Sequence, residues 1–153
     1  MPANGLIQGM RPLISYNYGA RHFDRVKKII KVSIISTAVI LCCGTIIFMG
    51  LPELVLSWFN ATEQLLEIGI IGLRVISPCF ILSTMGVVIS GVFESLGKGR
   101  QSLTISLLRQ FIITLPLAYI LLKVIGLNGI WLSFVIAEGI ASVIAVILIK
   151  KEL

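Results

Sequence analysis

The sequence predicts an all-α fold: a polytopic transmembrane helix bundle with four full spans and a partial one at the N-terminus. Three observations predict it. Of 153 residues, 57% are hydrophobic and only 13% are charged, against about 25% charged in soluble domains. Four apolar stretches are each long enough to cross a hydrocarbon layer, which takes about 20 helical residues. Basic residues collect in alternate connectors, as the orientation of membrane proteins demands. Residues 1–153 therefore read as a single transmembrane domain whose solvent is the lipid bilayer.

The elements follow in chain order. Residues 4–19 are too polar and too few to span alone, yet they lead into a basic connector, so they read as the tail of a helix whose start is missing. Gly5 and Gly9 have the GxxxG spacing that lets a neighbouring helix approach closely. The connector 20–31 carries Arg21, Arg25, Lys27, Lys28 and Lys31, and the first full span covers residues 32–51. Residues 52–67 hold Glu53, Glu63 and Glu67 and no Lys or Arg. Within them, Pro52–Asn60 is amphipathic and suits the membrane interface, with Trp58 as its anchor. The sequon Asn60-Ala61-Thr62 matters only where glycosylation occurs.

The second span, about 68–93, contains Arg74, read as an outer-leaflet anchor, and Pro78. The connector 97–102 is basic through Lys98 and Arg100. The third span, about 103–124, holds Arg109, Gln110 and Pro116; after a short turn near 123–129, the fourth runs over 129–149 with Glu138. Pro78 and Pro116 are expected to kink their helices or free a carbonyl at a cavity. The positive-inside rule places loops 20–31 and 97–102 and the C-terminus, with Lys150 and Lys151, in the cytoplasm of a multi-pass cell-membrane protein.

Several function classes are excluded. Thirteen Lys+Arg against seven Asp+Glu would suggest nucleic acid in a soluble protein. Here the bases follow topology and no aromatics interleave with them, so no nucleic-acid partner is expected. Cys42, Cys43 and Cys79 lie in apolar runs, without a CxxC or a nearby His, and read as small core hydrophobes; no metal site is expected. Walker, nucleophile-elbow, HExxH and dinucleotide signatures are missing, which argues against an enzyme, a cofactor or an ATP-driven pump.

Glu138 sits near the centre of its span, where a charge costs about 2.5–3.5 kcal/mol on insertion scales. It needs a partner, a wet cavity or a proton. It reads either as a proton or cation-substrate site or as a hydrogen-bonded structural acid. Trp131, Phe134, Ala141, Ser142 and Ala145 follow at helical spacing on that face and suit a helix seam or a cavity wall. Arg109 is expected to snorkel to the cytoplasmic interface, while Gln110 and Thr114 share a face at i, i+4. Glu94 and Lys98 have the same spacing and predict a local ion pair. His22 reads as solvated.

The run Gly9-x-x-Pro12-Leu13-Ile14-Ser15-Tyr16-Asn17-Tyr18-Gly19-Ala20, followed by the basic loop, closely resembles the second-half motif of multidrug and toxic compound extrusion (MATE) transporters. Phe93-Glu94-Ser95-Leu96-Gly97-Lys98-Gly99, Leu108-Arg109-Gln110 with Pro116, and Gly129-Ile130-Trp131 with Ala137-Glu138 add matches in the family's order. The resemblance covers essentially the whole chain and implies the end of helix eight through helix twelve of a twelve-helix protein with two lobes. It implies secondary active export of drugs and small organic cations in exchange for H+ or Na+, together with a missing N-terminal lobe as partner. It also implies that Gln8, Arg11, Tyr16 and Asn17 face the lobe centre, either packing there structurally or lining a cavity as substrate or ion-coupling candidates beside Glu138, Gln110 and Arg109. This chain departs from the family in lacking both the acidic residue of the first helix and the Asp of the tenth. Glu94 stands where the family often has an uncharged polar residue. Two further readings stay open: a lipid-linked saccharide flippase of the same superfamily, and a truncated membrane fragment without transport.

Overall fold

In a bilayer, an apolar sequence fixes which segments are helical but not which side of each helix meets protein, so the fold is decided by where small and polar residues gather. The computed structural model describes residues 2–58 and 62–152. Among them are α1 (Pro2–Gly19), α2 (Phe23–Gly50), the short α3 (Pro52–Ser57) and α4 (Glu63–Ser95). The third span is α5 (Gly99–Leu107), a π-helical turn (Leu108–Ile112) and α6 (Thr114–Ile125) in succession, and α7 (Leu127–Lys150) closes the bundle. The all-α bundle with four membrane-length helices agrees with the sequence.

Helix α4 is the central post; α1, α2, α3, α5 and α7 all pack on it. One apolar knot joins Ile7, Met10 and Ile14 of α1 to Val26 and Ile30 of α2 and to Val88 and Val92 of α4. A second joins Ile89 and Phe93 of α4 to Ile105 and Ala145. Along α7, Ser133, Ala137, Ala141 and Ala145 are fully buried, and such small side chains let helix backbones approach closely without a hydrophobic drive from water. Cross-helix hydrogen bonds add to this: Ser142 Oγ donates to the Leu82 carbonyl, and Thr45 Oγ1 donates to the Ser77 carbonyl at 3.0 Å. Val32, Ile35, Val39 and Ile46 of α2 point outward, where hydrocarbon is their natural neighbour.

Several expectations need correction. Helix α2 starts at Phe23, so Arg25, Lys27, Lys28 and Lys31 ride on the helix and the connector shrinks to residues 20–22. Hydropathy marks the hydrocarbon boundary, whereas Lys and Arg are good helix formers and carry the helix past it. The last connector is reduced to Gly126. An added Cβ on Gly5 or Gly9 would meet nothing within 4 Å, so the GxxxG spacing holds no close helix among the described residues. Cys79 is buried, but Cys42 and Cys43 lie on the exposed side of α2 rather than in the core; all three are free thiols. Pro78 sits inside a continuous α4, and the irregular backbone falls instead at the π turn just before Pro116. Trp58, at the end of α3, is 75% exposed. In the sequon, Asn60 and Ala61 lie outside the described residues.

Candidate functional site

A π turn inserts one residue into a helix and so rotates everything around it. Here the Ile113 amide donates to the Leu108 carbonyl at 3.0 Å, and the Thr114 hydroxyl donates to the Arg109 carbonyl. The rotation turns Arg109 inward, toward α7, and Gln110 outward. Gln110 and Thr114 therefore do not share a face: Thr114 is buried while Gln110 is exposed. Arg109 does not snorkel either. Its Nε lies 3.4 Å from Oε1 of Glu138, with side-chain exposures of 20% and 17%. The pair is close enough for strong attraction at low dielectric but is not aligned as a hydrogen bond. Arg109 Nε and Glu138 Oε2 are buried without a hydrogen-bond partner among the described residues. The guanidinium passes beside Gly86 of α4, where an added Cβ would sit 3.9 Å from Nη1.

On one side of this pair, Glu138 opens on a cavity of about 290 Å³ lined by Ile76, Cys79, Phe80 and Ser83 of α4 and by Trp131 and Phe134 of α7. The Trp131 ring packs over Gly72, where an added Cβ would come 3.2 Å from the indole, and its Nε1 is buried without a partner among the described residues. Ala141, Ser142 and Ala145, further along the same helix, are buried and line the helix seam, one of the two places expected for them. On the other side, Arg109 lines a smaller cavity of about 140 Å³ with Asn4, Arg11, Ser90 and Glu94.

Glu94 is part of a cross-helix network rather than the expected pair with Lys98. It forms an ion pair with Arg11 of α1 and accepts a 2.9 Å hydrogen bond from Ser102 Oγ. Ser102 and Ser90 hydroxyls are 2.6 Å apart. Lys98 pairs with Glu152 near the C-terminus. Of the four α1 residues expected to face the lobe centre, Arg11 and Asn17 turn inward. Asn17 is buried and donates through Nδ2 to the Leu13 carbonyl at 2.8 Å. Gln8 is exposed, and Tyr16 is 75% exposed. Arg74 and His22 are both exposed.

Sequence reasoning missed the network of Arg11, Glu94, Ser102 and Ser90 and the cavity that Arg11, Ser90 and Glu94 share with Arg109. A signal existed: Cys79, Ser83, Gly86, Ser90 and Glu94 recur every three or four residues and mark one small, polar stripe down an otherwise apolar α4.

Comparison with known proteins gives a consistent result. The family model MatE matches residues 1–120. The chain is 30% identical over 146 residues to the multidrug export protein MepA of Staphylococcus haemolyticus strain JCSC1435, covering 95% of this chain and 32% of that protein. It is 28% identical over 145 residues to MepA of Staphylococcus aureus strain bovine RF122 / ET3-1, with the same coverage of 95% and 32%. Among solved structures it superposes with a TM-score of 0.89, at 30% identity, on the MATE multidrug transporter DinF-BH, covering 99% of this chain and 34% of that one. The chain thus spans about a third of the length of the curated relatives it matches. With a family model over most of its length and membrane helices arranged as in a solved transporter of that family, the chain belongs to the MatE family.

Proposed function

We propose that the chain forms the greater part of the C-terminal lobe of a secondary active exporter in the cell membrane. The exporter moves drugs or small organic cations outward in exchange for H+ or Na+. Its partner is an N-terminal lobe, and its basic segments 20–31 and 97–102 and the C-terminus face the cytoplasm. The observation that carries this reading is the Arg109–Glu138 pair, set inside the bundle at the middle of α7 and opening on an aromatic cavity. Ionisable residues within membrane spans are costly and mark substrate or ion pathways by default. Phe80, Trp131 and Phe134 beside a carboxylate offer aromatic faces and a counter-charge, which a flat organic cation requires. The relatives point the same way: two are named multidrug export proteins, and one solved structure is that of a multidrug transporter. Transport then follows alternating access, with the two lobes rocking about a shared cavity.

The test is efflux of a cationic dye from cells expressing the transporter that contains this chain. Glu138→Gln is expected to slow efflux by about tenfold or more, with normal protein level in the membrane. Wild-type efflux in that variant would remove Glu138 from the coupling role. Flipping of lipid-linked saccharides without any dye efflux would overturn the exporter reading in favour of the flippase.

A further inference from the structure

Arg109 has two carboxylates within its surroundings, not one. It contacts Glu138 on the α7 side and lines the cavity that holds Glu94 on the α1 side. Its route between them crosses Gly86, the position on α4 that has no side chain to obstruct a guanidinium. The hold on Glu138 is loose, a 3.4 Å contact without hydrogen-bond alignment. Glu94 is half-exposed and lies next to the connector that follows α4, so it is the solvent-facing end of this lane, whereas Glu138 is the deep end.

We propose that Glu94 is a second proton-exchange carboxylate, coupled to Glu138 by movement of Arg109, and that the ion this lane takes is H+ rather than Na+. The inference rests on the reading of Glu138 as the coupling acid. When Glu138 is protonated it loses its charge, and Arg109 loses its anionic partner there. The guanidinium then turns over Gly86 toward Glu94. An arginine does not give up its proton, so Arg109 moves only as a counter-charge. The proton passes the other way from the guanidinium: as Arg109 swings back it favours the ionised form of Glu138 and leaves Glu94, the O–H bond of the Glu138 carboxyl breaks, an O–H bond forms on Glu94, and any hydroxyl or water between them accepts one proton as it releases another. No electrons change hands, and once Arg109 has returned one unit of charge has been displaced along the lane. Ser102, which donates to Glu94 at 2.9 Å, and Ser90, 2.6 Å from the Ser102 hydroxyl, are placed to take part.

The charges of the lane explain the choice of ion. Glu94 faces Arg11 from α1, Ser102 from α5 and Arg109 from the π turn; Glu138 faces Arg109, and Cys79 of α4 lines its cavity. Lys98 is engaged by Glu152. Two carboxylates against two guanidiniums leave no net negative charge. A hard metal cation needs several uncompensated oxygen ligands, whereas a proton needs one carboxylate at a time.

The experiment uses the whole transporter containing this chain, reconstituted in vesicles loaded with a cationic dye, with either a pH gradient or a Na+ gradient imposed. The pH gradient is expected to drive efflux and the Na+ gradient at constant pH is not. Glu94→Gln is expected to slow pH-driven efflux about tenfold and to shift its pH profile, with dye affinity within about twofold of wild type and partial recovery in Glu94→Asp. A wild-type rate and pH profile in Glu94→Gln, or efflux driven by Na+ alone, would overturn the inference. If Glu94→Gln loses dye binding, Ser102→Ala takes its place, and a wild-type pH profile there is equally fatal. Glu138→Gln separates the two levels: if it remains active, the coupling role of Glu138 fails. If it is dead while Glu94→Gln is normal, only the second carboxylate fails.

Discussion

Two adjacent spans of this bundle are built in opposite ways. Helix α7 is continuous over Leu127–Lys150, and its inner face is a row of small residues sealed against α4. The span beside it is broken into α5, a π turn and α6, and much of its surface, including Phe111, Ile112 and Leu115, is exposed. The continuous helix gains stability from close backbone approach, which tolerates little change in volume. The interrupted one gives up helical regularity to aim a single charged side chain. Glu138 belongs to the rigid rail and Arg109 to the interrupted span, so the ion pair joins a fixed group to an adjustable one.

This contrast is open to measurement by thermal unfolding in detergent. The largest effect is expected from Arg109→Gln, which leaves Glu138 without its counter-charge; losing one partner of a buried pair costs about 3–5 kcal/mol. The double variant Arg109→Gln with Glu138→Gln should lose less than Arg109→Gln alone. Additive losses would show that the two spans are not coupled through this pair. A smaller effect is expected from Gly129→Ala, where the new Cβ would collide with the Leu121 main chain of α6. Overpacking against backbone costs about 1–3 kcal/mol, and an unchanged melting temperature would mean that the α6–α7 contact yields freely. The smallest belongs to Ser142→Ala, which removes one α7–α4 hydrogen bond worth about 0.6 kcal/mol in a membrane. A loss several times larger would make polar bonding, not small-residue packing, the main cement of the rail.

The membrane spans were legible because bilayer thickness and basic connectors are one-dimensional signals that a sequence carries directly. The depth of Glu138 was legible for the same reason. Its partner was not. Arg109 looked like a snorkelling residue because its distance from the span end is all that sequence shows, and the π turn that redirects it has no fixed motif. Pro116 hinted at irregular backbone, but the irregularity lies just ahead of it. The Glu94–Lys98 expectation failed in a similar way. An i, i+4 pair is visible in sequence, whereas Arg11 lies more than eighty residues away and meets Glu94 only through the packing of α1 on α4.

The joint at Gly126 bears on how the protein is made. One residue, at φ 75°, separates the end of α6 from the start of α7, a backbone state that costs glycine little and other residues more. So short a link gives neither helix a tether on which to wait alone at the bilayer surface. The two helices form a tight hairpin, packed on each other along their length. Whichever way the pair lies in the bilayer, the last span must run opposite to the one before it, so Lys150 and Lys151 lie on the side of the membrane where that earlier span begins.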